Sequence, residues 1–182
     1  ERRGELRAAL ADHRRALAIW TRAHGEHPRL IWALTCVGRV LRRLGEIEAA
    51  REHYARALAI AARDGGMTEA LAAIELADLL RGEGKVGEAR TLAARADVIV
   101  QAEADRPELV VTLIDLGEAA IADGEPARAI AGLTRAQRLS GERDDQRAVA
   151  GFALARAWWA MGEPQRALAL ARTAESSADA GT

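Results

Sequence analysis

Residues 34–57 read LTCVGRVLRRLGEIEAAREHYARA, and this stretch decides the fold. Leu34 and Leu41 each lie three or four residues from Val37 and Gly38, so these four residues share one face of a helix. Gly45 interrupts that pattern, and alanine follows it after five and after twelve residues. Because glycine readily adopts the left-handed conformation that ends a helix, the stretch predicts a helix, a tight turn and a second helix.

The glycine-alanine-alanine phrase occurs five times with the same internal spacing. The five sets are Gly4, Ala9 and Ala16; Gly45, Ala50 and Ala57; Gly84, Ala89 and Ala96; Gly124, Ala129 and Ala136; and Gly162, Ala167 and Ala174. The last four copies also have a large aliphatic residue eight positions before the glycine and a glycine or alanine seven positions before it. Small residues at these positions let two helices approach closely, so the pattern predicts repeated helix pairs.

This phrase, with its upstream Val37-Gly38 and Leu116-Gly117 pairs, resembles the tetratricopeptide repeat, and Tyr54 occupies that repeat's bulky aromatic position. The glycines lie 38 to 41 residues apart, more than the ~34 of the usual repeat. Longer periods occur in the subset similar to kinesin light chains and bacterial signalling proteins, and residues 13–28 resemble the junction of that subset. HEAT-type repeats have comparable periods but lack the phrase. The resemblance implies an all-α solenoid of antiparallel helix pairs that curls into a right-handed superhelix.

The pattern predicts one repeat array over residues 1–178, followed by a tail at 179–182. A truncated first repeat at 1–23 contributes only a second helix, and complete pairs follow at 31–63, 69–102, 109–139 and 147–178. First helices are expected at 31–43, 69–82, 109–122 and 147–160, and second helices at 5–23, 47–63, 87–102, 127–139 and 165–178. The inner side of the truncated repeat lacks half of its partner surface. We therefore expect residues upstream to cover this N-terminal edge, or the edge to fray or to form a homodimer.

Composition narrows the class of partner. The chain has 26 basic and 27 acidic residues and a net charge of -1, which argues against nucleic acid and anionic membranes as partners. No apolar run reaches the ~18 residues of a membrane span. Cys36 is the only cysteine, so an internal disulfide is impossible and a cytoplasmic location is expected.

No catalytic arrangement is recognisable, and we expect no enzyme activity, cofactor or metal. Gly82, Gly84 and Lys85 imitate part of a phosphate loop, but the Gly-Lys-Ser/Thr ending is missing. His24, Glu26 and His27 form the only cluster with metal-ligand chemistry. The favoured interpretation is that this cluster belongs to the His-Pro junction of the repeat. Cys36 is expected to be a buried small apolar residue.

The family resemblance also implies a ligand surface, because the first helices of such arrays line the concave side. The positions that point away from the packing stripe are Trp32, Thr35, Arg39, Arg42 and Arg43; Leu71, Ile74, Asp78 and Arg81; Val111, Ile114, Asp115 and Glu118; and Val149, Phe152, Arg156 and Trp159. Aromatic side chains next to arginines are typical of binding surfaces. A second interpretation stays open: the apolar members pack against neighbouring helices, and the charges pair across helices.

The function expected from this resemblance is binding of a protein or peptide, as a scaffold or regulatory module. Residues 151–168 are similar to arrays attached to bacterial Ser/Thr protein kinases, so the chain is expected to be part of such a signalling protein. The alternative is the effector-sensing array of an NTPase-type transcription regulator. The carboxylate clamp of the chaperone-binding subset is absent, since Thr35 and Arg39 occupy its first-helix positions and the next first helix offers Glu75. Replacing Trp159 by Ala together with Arg156 by Glu is expected to abolish partner capture.

Overall fold

The computed structural model describes residues 2–141 and 143–180, and this part of the chain folds into helices without a strand. The helices are α1 (Arg2–His24), α2 (Leu30–Leu44), α3 (Ile47–Asp64), α4 (Met67–Gly82), α5 (Val86–Ala102), α6 (Leu109–Ala122), α7 (Pro126–Leu139), α8 (Asp144–Ala160) and α9 (Pro164–Ala180). The all-α helix-pair fold expected from the repeat phrase is confirmed. Every helix begins and ends within three residues of its expected position. Residues 179 and 180, expected in the tail, continue α9, whereas 181 and 182 lie outside the described residues.

The chain forms two compact units, residues 1–96 and 97–182. In the first unit α1, α2, α3 and α4 pack in sequence, and α2 also contacts α4. In the second unit α6, α7, α8 and α9 pack in sequence, and α6 also contacts α8. We call α2, α4, α6 and α8 the leading helices. Within each unit, therefore, successive leading helices lie side by side.

The turn inside each helix pair has one geometry. Gly45 has a φ of +83°, and the Glu46 N–H donates to the Leu41 carbonyl over 3.0 Å. The same six-residue hydrogen bond recurs from Lys85 to Leu80, from Glu125 to Ala120 and from Glu163 to Trp158. Such bonds satisfy carbonyls that a helix end leaves without a partner. The repeated glycine thus reverses the chain and ends the leading helix at the same point each time.

Close packing within the pairs follows from the small residues. A Cβ built on Gly38 would lie 2.7 Å from the Tyr54 ring, and one built on Gly117 would lie 2.5 Å from Leu133 Cγ. Tyr54 and Leu133 are fully buried. In the other two pairs both equivalent positions are alanine: Ala77 and Ala93 in one pair, and Ala155 and Ala171 in the other. A large residue on the second helix therefore occurs where the leading helix has glycine.

Arg135 makes three hydrogen bonds to the connection between α5 and α6. Arg135 on α7 donates from Nη1 to the Val100 carbonyl over 2.9 Å, from Nη2 to the Glu103 carbonyl over 2.6 Å, and from Nε to Asp105 over 2.8 Å. The Arg135 side chain is only 12% exposed. Because the hydrogen bond from Arg135 stabilises the carboxylate, the pKa of Asp105 lies below its ordinary value. One side chain thus satisfies both the end of α5 and the loop after it.

Candidate functional site

The leading helices carry the predicted ligand surface, with α2 and α4 in the first unit and α6 and α8 in the second. We call the outward side of α2 and α4 the first face and the outward side of α6 and α8 the second face. Every exposed Trp, Tyr or Phe side chain in the described part of the chain lies on a leading helix: Trp32, Phe152 and Trp159. Trp32 is 70% and Trp159 is 67% exposed. Large apolar side chains exposed to this degree are typical of interaction surfaces.

Smaller apolar side chains extend both faces. Leu71 is exposed on the first face, and Val111 and Val149 are exposed on the second. Ile114 departs from the expectation, since it is only 8% exposed and is part of the core. For Ile114 the second interpretation, packing against neighbouring helices, is therefore correct. Ile74 is half-buried, so it contributes only an edge to the first face.

The predicted charges pair across the leading helices. Arg39 donates from Nε to Glu75 Oε1 over 2.6 Å, and Arg42 pairs with Asp78. Arg81 also approaches Asp78, at 3.5 Å. On the second face Arg156 pairs with Glu118. The pairs of Arg39 and Arg42 join α2 to α4, and the pair of Arg156 joins α6 to α8. These charges therefore tie neighbouring leading helices together, as the second interpretation states.

Polar side chains, among them Tyr54 and Glu75, lie beneath the first face. Burial raises the pKa of Tyr54, with the nearby Glu75 carboxylate as the next cause. The hydrogen bond to Glu75 raises the pKa of Arg39. Burial likewise raises the pKa of the Cys36 thiol, although Cys36 is only part-buried and not fully buried as expected. Glu75, noted in the sequence only at a clamp position, was not among the predicted ligand-surface residues, because no feature of its own helix indicates its pair with Arg39.

The remaining predicted residues lie at the edges. Thr35 is half-buried, and its hydroxyl donates to the Ile31 carbonyl over 2.8 Å. Asp115 is exposed on α6. Arg43 lines a depression near the N-terminus together with Arg3, Leu6 and Arg42.

Two depressions adjoin the faces. The first, of about 490 Å³, is lined by Arg42, Asp78 and Glu83 beside apolar residues of α3 and α4. The second, of about 280 Å³, is an apolar pocket between α8 and α9. Its lining residues are Phe152, Ala155, Arg156, Trp159, Ala167, Leu168 and Ala171. Leu168 is the large apolar lining residue that sequence reasoning missed, because it lies on a second helix.

The junction after α1 does not assemble a metal site among the residues whose side chains are described. Glu26 is paired with Arg56, and His27 Nδ1 accepts a hydrogen bond from the Arg29 N–H over 3.2 Å. The His24 side chain lies outside the described side chains. No group of three metal-binding side chains is found in this described set. None of the described helices is long and apolar enough to cross a membrane.

Comparison with known proteins agrees with this geometry. Residues 1–63 match the family model of the tetratricopeptide repeat. No curated protein matches the chain. Among solved structures, BtubC (BKLC) from P. vanneervenii is 20% identical with a TM-score of 0.79, over 97% of this chain and 74% of that chain.

Nearly identical TPR-like repeats described as those of a Podosopora anserina kinesin light chain are 22% identical with a TM-score of 0.74, over 98% of this chain and 90% of theirs. A point variant of those repeats gives the same identity and TM-score, over 96% of this chain and 87% of that chain. These likenesses establish the fold along nearly the whole chain. Together with the family match over residues 1–63 and the five glycine-alanine-alanine phrases, they support assignment of the chain to the tetratricopeptide repeat family.

Proposed function

We propose that this protein binds another protein or a peptide through its leading helices and acts as a scaffold or regulatory module. The observation that carries the proposal is the exposure of Trp32 and Trp159, each about two-thirds or more, on leading helices. Tryptophan is prominent among interface residues that contribute most to binding, because it combines a large apolar area with one hydrogen-bond donor. Arg156 lines the same pocket as Trp159, and its guanidinium can supply charged hydrogen bonds to a partner's carboxylates.

The proposal extends to the setting in which the module works. The resemblance of residues 151–168 to arrays of bacterial Ser/Thr protein kinases supports a signalling protein of that class as the parent, in the cytoplasm. Balanced charge supports a protein partner over nucleic acid, and the residues offer no activated nucleophile or acid-base pair, which supports a non-catalytic role.

The test is a partner's affinity measured with matched variants. Trp32→Ala and Trp159→Ala each remove an exposed ring from a leading helix, while Val98→Ala removes a side chain of similar exposure, 71%, from a second helix. A partner recovered with the wild-type chain should bind the tryptophan variants at least about tenfold more weakly, as expected for loss of an interface hot spot. Val98→Ala should bind like the wild type.

Equal affinity for all four proteins would refute the assignment of the ligand surface to the leading helices. If the function were effector sensing, a small molecule instead of a polypeptide would be the tight ligand. It would raise the melting temperature by mass action. That outcome would replace the proposed function.

A further inference from the structure

The apolar pocket between α8 and α9 corresponds to a surface that is covered elsewhere in the molecule. In the preceding pair, α8 packs against both α6 and α7. Counting from the turn glycine of each pair, Phe152, Trp159 and Leu168 occupy the positions of Ile114, Ile121 and Ile130. The surface of α6 and α7 therefore shows how these positions are buried when the next helix, α8, packs on them.

The surface of α6 and α7 and the surface of α8 and α9 are both apolar, but their side chains differ in exposure. Ile114 is 8% exposed and Phe152 is 42% exposed. Ile121 and Ile130 are half-buried, whereas Trp159 and Leu168 are exposed. Ala155 and Ala167, at the bottom of the pocket, are buried in the manner of Gly117 and Ala129. The surface of α8 and α9 has the composition of a helix-binding surface but carries no helix in the described part of the chain.

Arg156, at the edge of the pocket between α8 and α9, indicates that a ligand bound there would carry a negative charge. Arg156 occupies the position of Arg39, which pairs with Glu75 of the helix packed beside it. Arg156 contacts Glu118 behind it, yet its side chain remains 60% exposed. A guanidinium has five N–H donors, so donors remain for a carboxylate in front.

We propose that the α8–α9 surface binds a partner's amphipathic helix in the way α2 and α3 hold α4, with an acidic residue of that helix on Arg156. This inference rests on the proposed function and names the class of partner for one end of the protein. The α4 segment supplies the probe sequence, because it packs on the corresponding surface of the first unit and carries Glu75 and Asp78 toward arginines. Ala72, Leu76, Leu79 and Leu80 of α4 are buried in the core that α2 and α3 also form.

The experiment uses the whole chain and a blocked peptide of residues 66–83 as the probe. The chain has four tryptophans and the peptide has none, so the indole N–H resonances of the protein report where the peptide binds. Saturable shifts of the Trp159 resonance without shifts of Trp32, its equally exposed counterpart on the first face, are expected. Leu168→Glu, a change at an exposed position, should weaken binding at least about tenfold.

Charge reversal separates the proposed contact from nonspecific apolar binding. A peptide with Glu75→Arg and Asp78→Arg should bind the wild type about tenfold more weakly. The double variant Glu118→Arg with Arg156→Glu keeps the internal pair but presents the opposite charge, and it should prefer the reversed peptide. Absence of a Trp159 shift at millimolar peptide, a shift of Trp32 instead, or indifference to Leu168→Glu would overturn the proposal.

Three further outcomes are informative. A concentration-dependent shift of Trp159 in the protein alone would mean that a second copy covers the surface, which also overturns the proposal. If the peptide fails to bind while a partner still depends on Trp32, the helix-docking inference is refuted and the proposed function stands. If no partner depends on either tryptophan, the proposed function itself is refuted.

Discussion

Replacing Gly117 by alanine tests the packing rule of the helix pairs most directly. The added Cβ would lie 2.5 Å from Leu133 Cγ and 2.6 Å from Cδ2, and Leu133 is fully buried. Overpacking of a core costs about 1–3 kcal/mol, and contacts this short place the cost near the upper value. The gain in helix propensity returns about 0.5–1 kcal/mol. We expect a net loss of about 2 kcal/mol.

Gly132 is the matched control, since it is also buried within a helix of the same unit. Its added Cβ would meet Leu113 Cδ2 at 3.8 Å, an ordinary contact. Gly132→Ala should therefore stabilise the protein by about 0.5–1 kcal/mol. Urea unfolding followed by circular dichroism at about 222 nm measures both changes. Equal effects of the two substitutions would show that the close approach at Gly117 does not control stability.

A double-mutant cycle sharpens the test. Leu133→Ala alone should lose about 2–5 kcal/mol through the cavity it leaves. Combined with Gly117→Ala it recreates the alanine-alanine pair found at positions 77 and 93. The combined loss should be smaller than the sum of the single losses by about 1–3 kcal/mol. Additivity within about 0.5 kcal/mol would contradict direct packing of these two residues.

Two other substitutions or titrations probe the interior. Tyr54 is the only tyrosine and burial raises its pKa, so its phenolate absorbance should appear only well above pH 10 in the folded protein. The raised pKa means that the folded protein favours the neutral phenol. The resulting stabilisation is present below the ordinary pKa of 10.0 and is lost as the pH rises above 10.0. A normal titration of Tyr54 in the native chain would show that its hydroxyl is accessible to solvent. Arg135→Ala should lose about 1.5–3 kcal/mol, the range for hydrogen bonds from a charged group, and should speed amide exchange in residues 103–108 but leave α2 unchanged. The lowered pKa of Asp105 favours its carboxylate, so that stabilisation is lost as pH falls below 3.8; in Arg135→Ala the carboxyl pKa should rise toward that value, and a nuclear magnetic resonance titration that finds no rise would contradict the role of Arg135.

Local chemistry explains why the helix positions could be predicted. The turn glycines and the paired alanines act within one helix pair, so their spacing alone fixes where each helix ends and which side is buried. Ile114 and Phe152 show where this reasoning stops. They occupy the same repeat position, yet one is buried and the other exposed, because exposure depends on whether another helix lies on top.

Only part of the candidate surface could be predicted from the sequence, because periodicity acts within one helix. Helical periodicity identifies Trp32 and Trp159 as outward residues. The Arg39–Glu75 pair joins residues 36 positions apart on different helices, and neither helix alone indicates it. Leu168 became recognisable only when α9 was seen beside α8. Contacts between elements, unlike patterns within them, require the structure.

The matching of Gly38 with Tyr54, and of Gly117 with Leu133, constrains how such a gene can lengthen or shorten. Both members of each match belong to one leading helix and the second helix that follows it. Duplication or deletion of a whole pair preserves its match. Recombination at the turn glycine would instead join, for example, a leading helix with Ala77 to a second helix with Leu133 and force a clash. The heritable module of this array is the intact helix pair, with crossover points tolerated between pairs and penalised inside them.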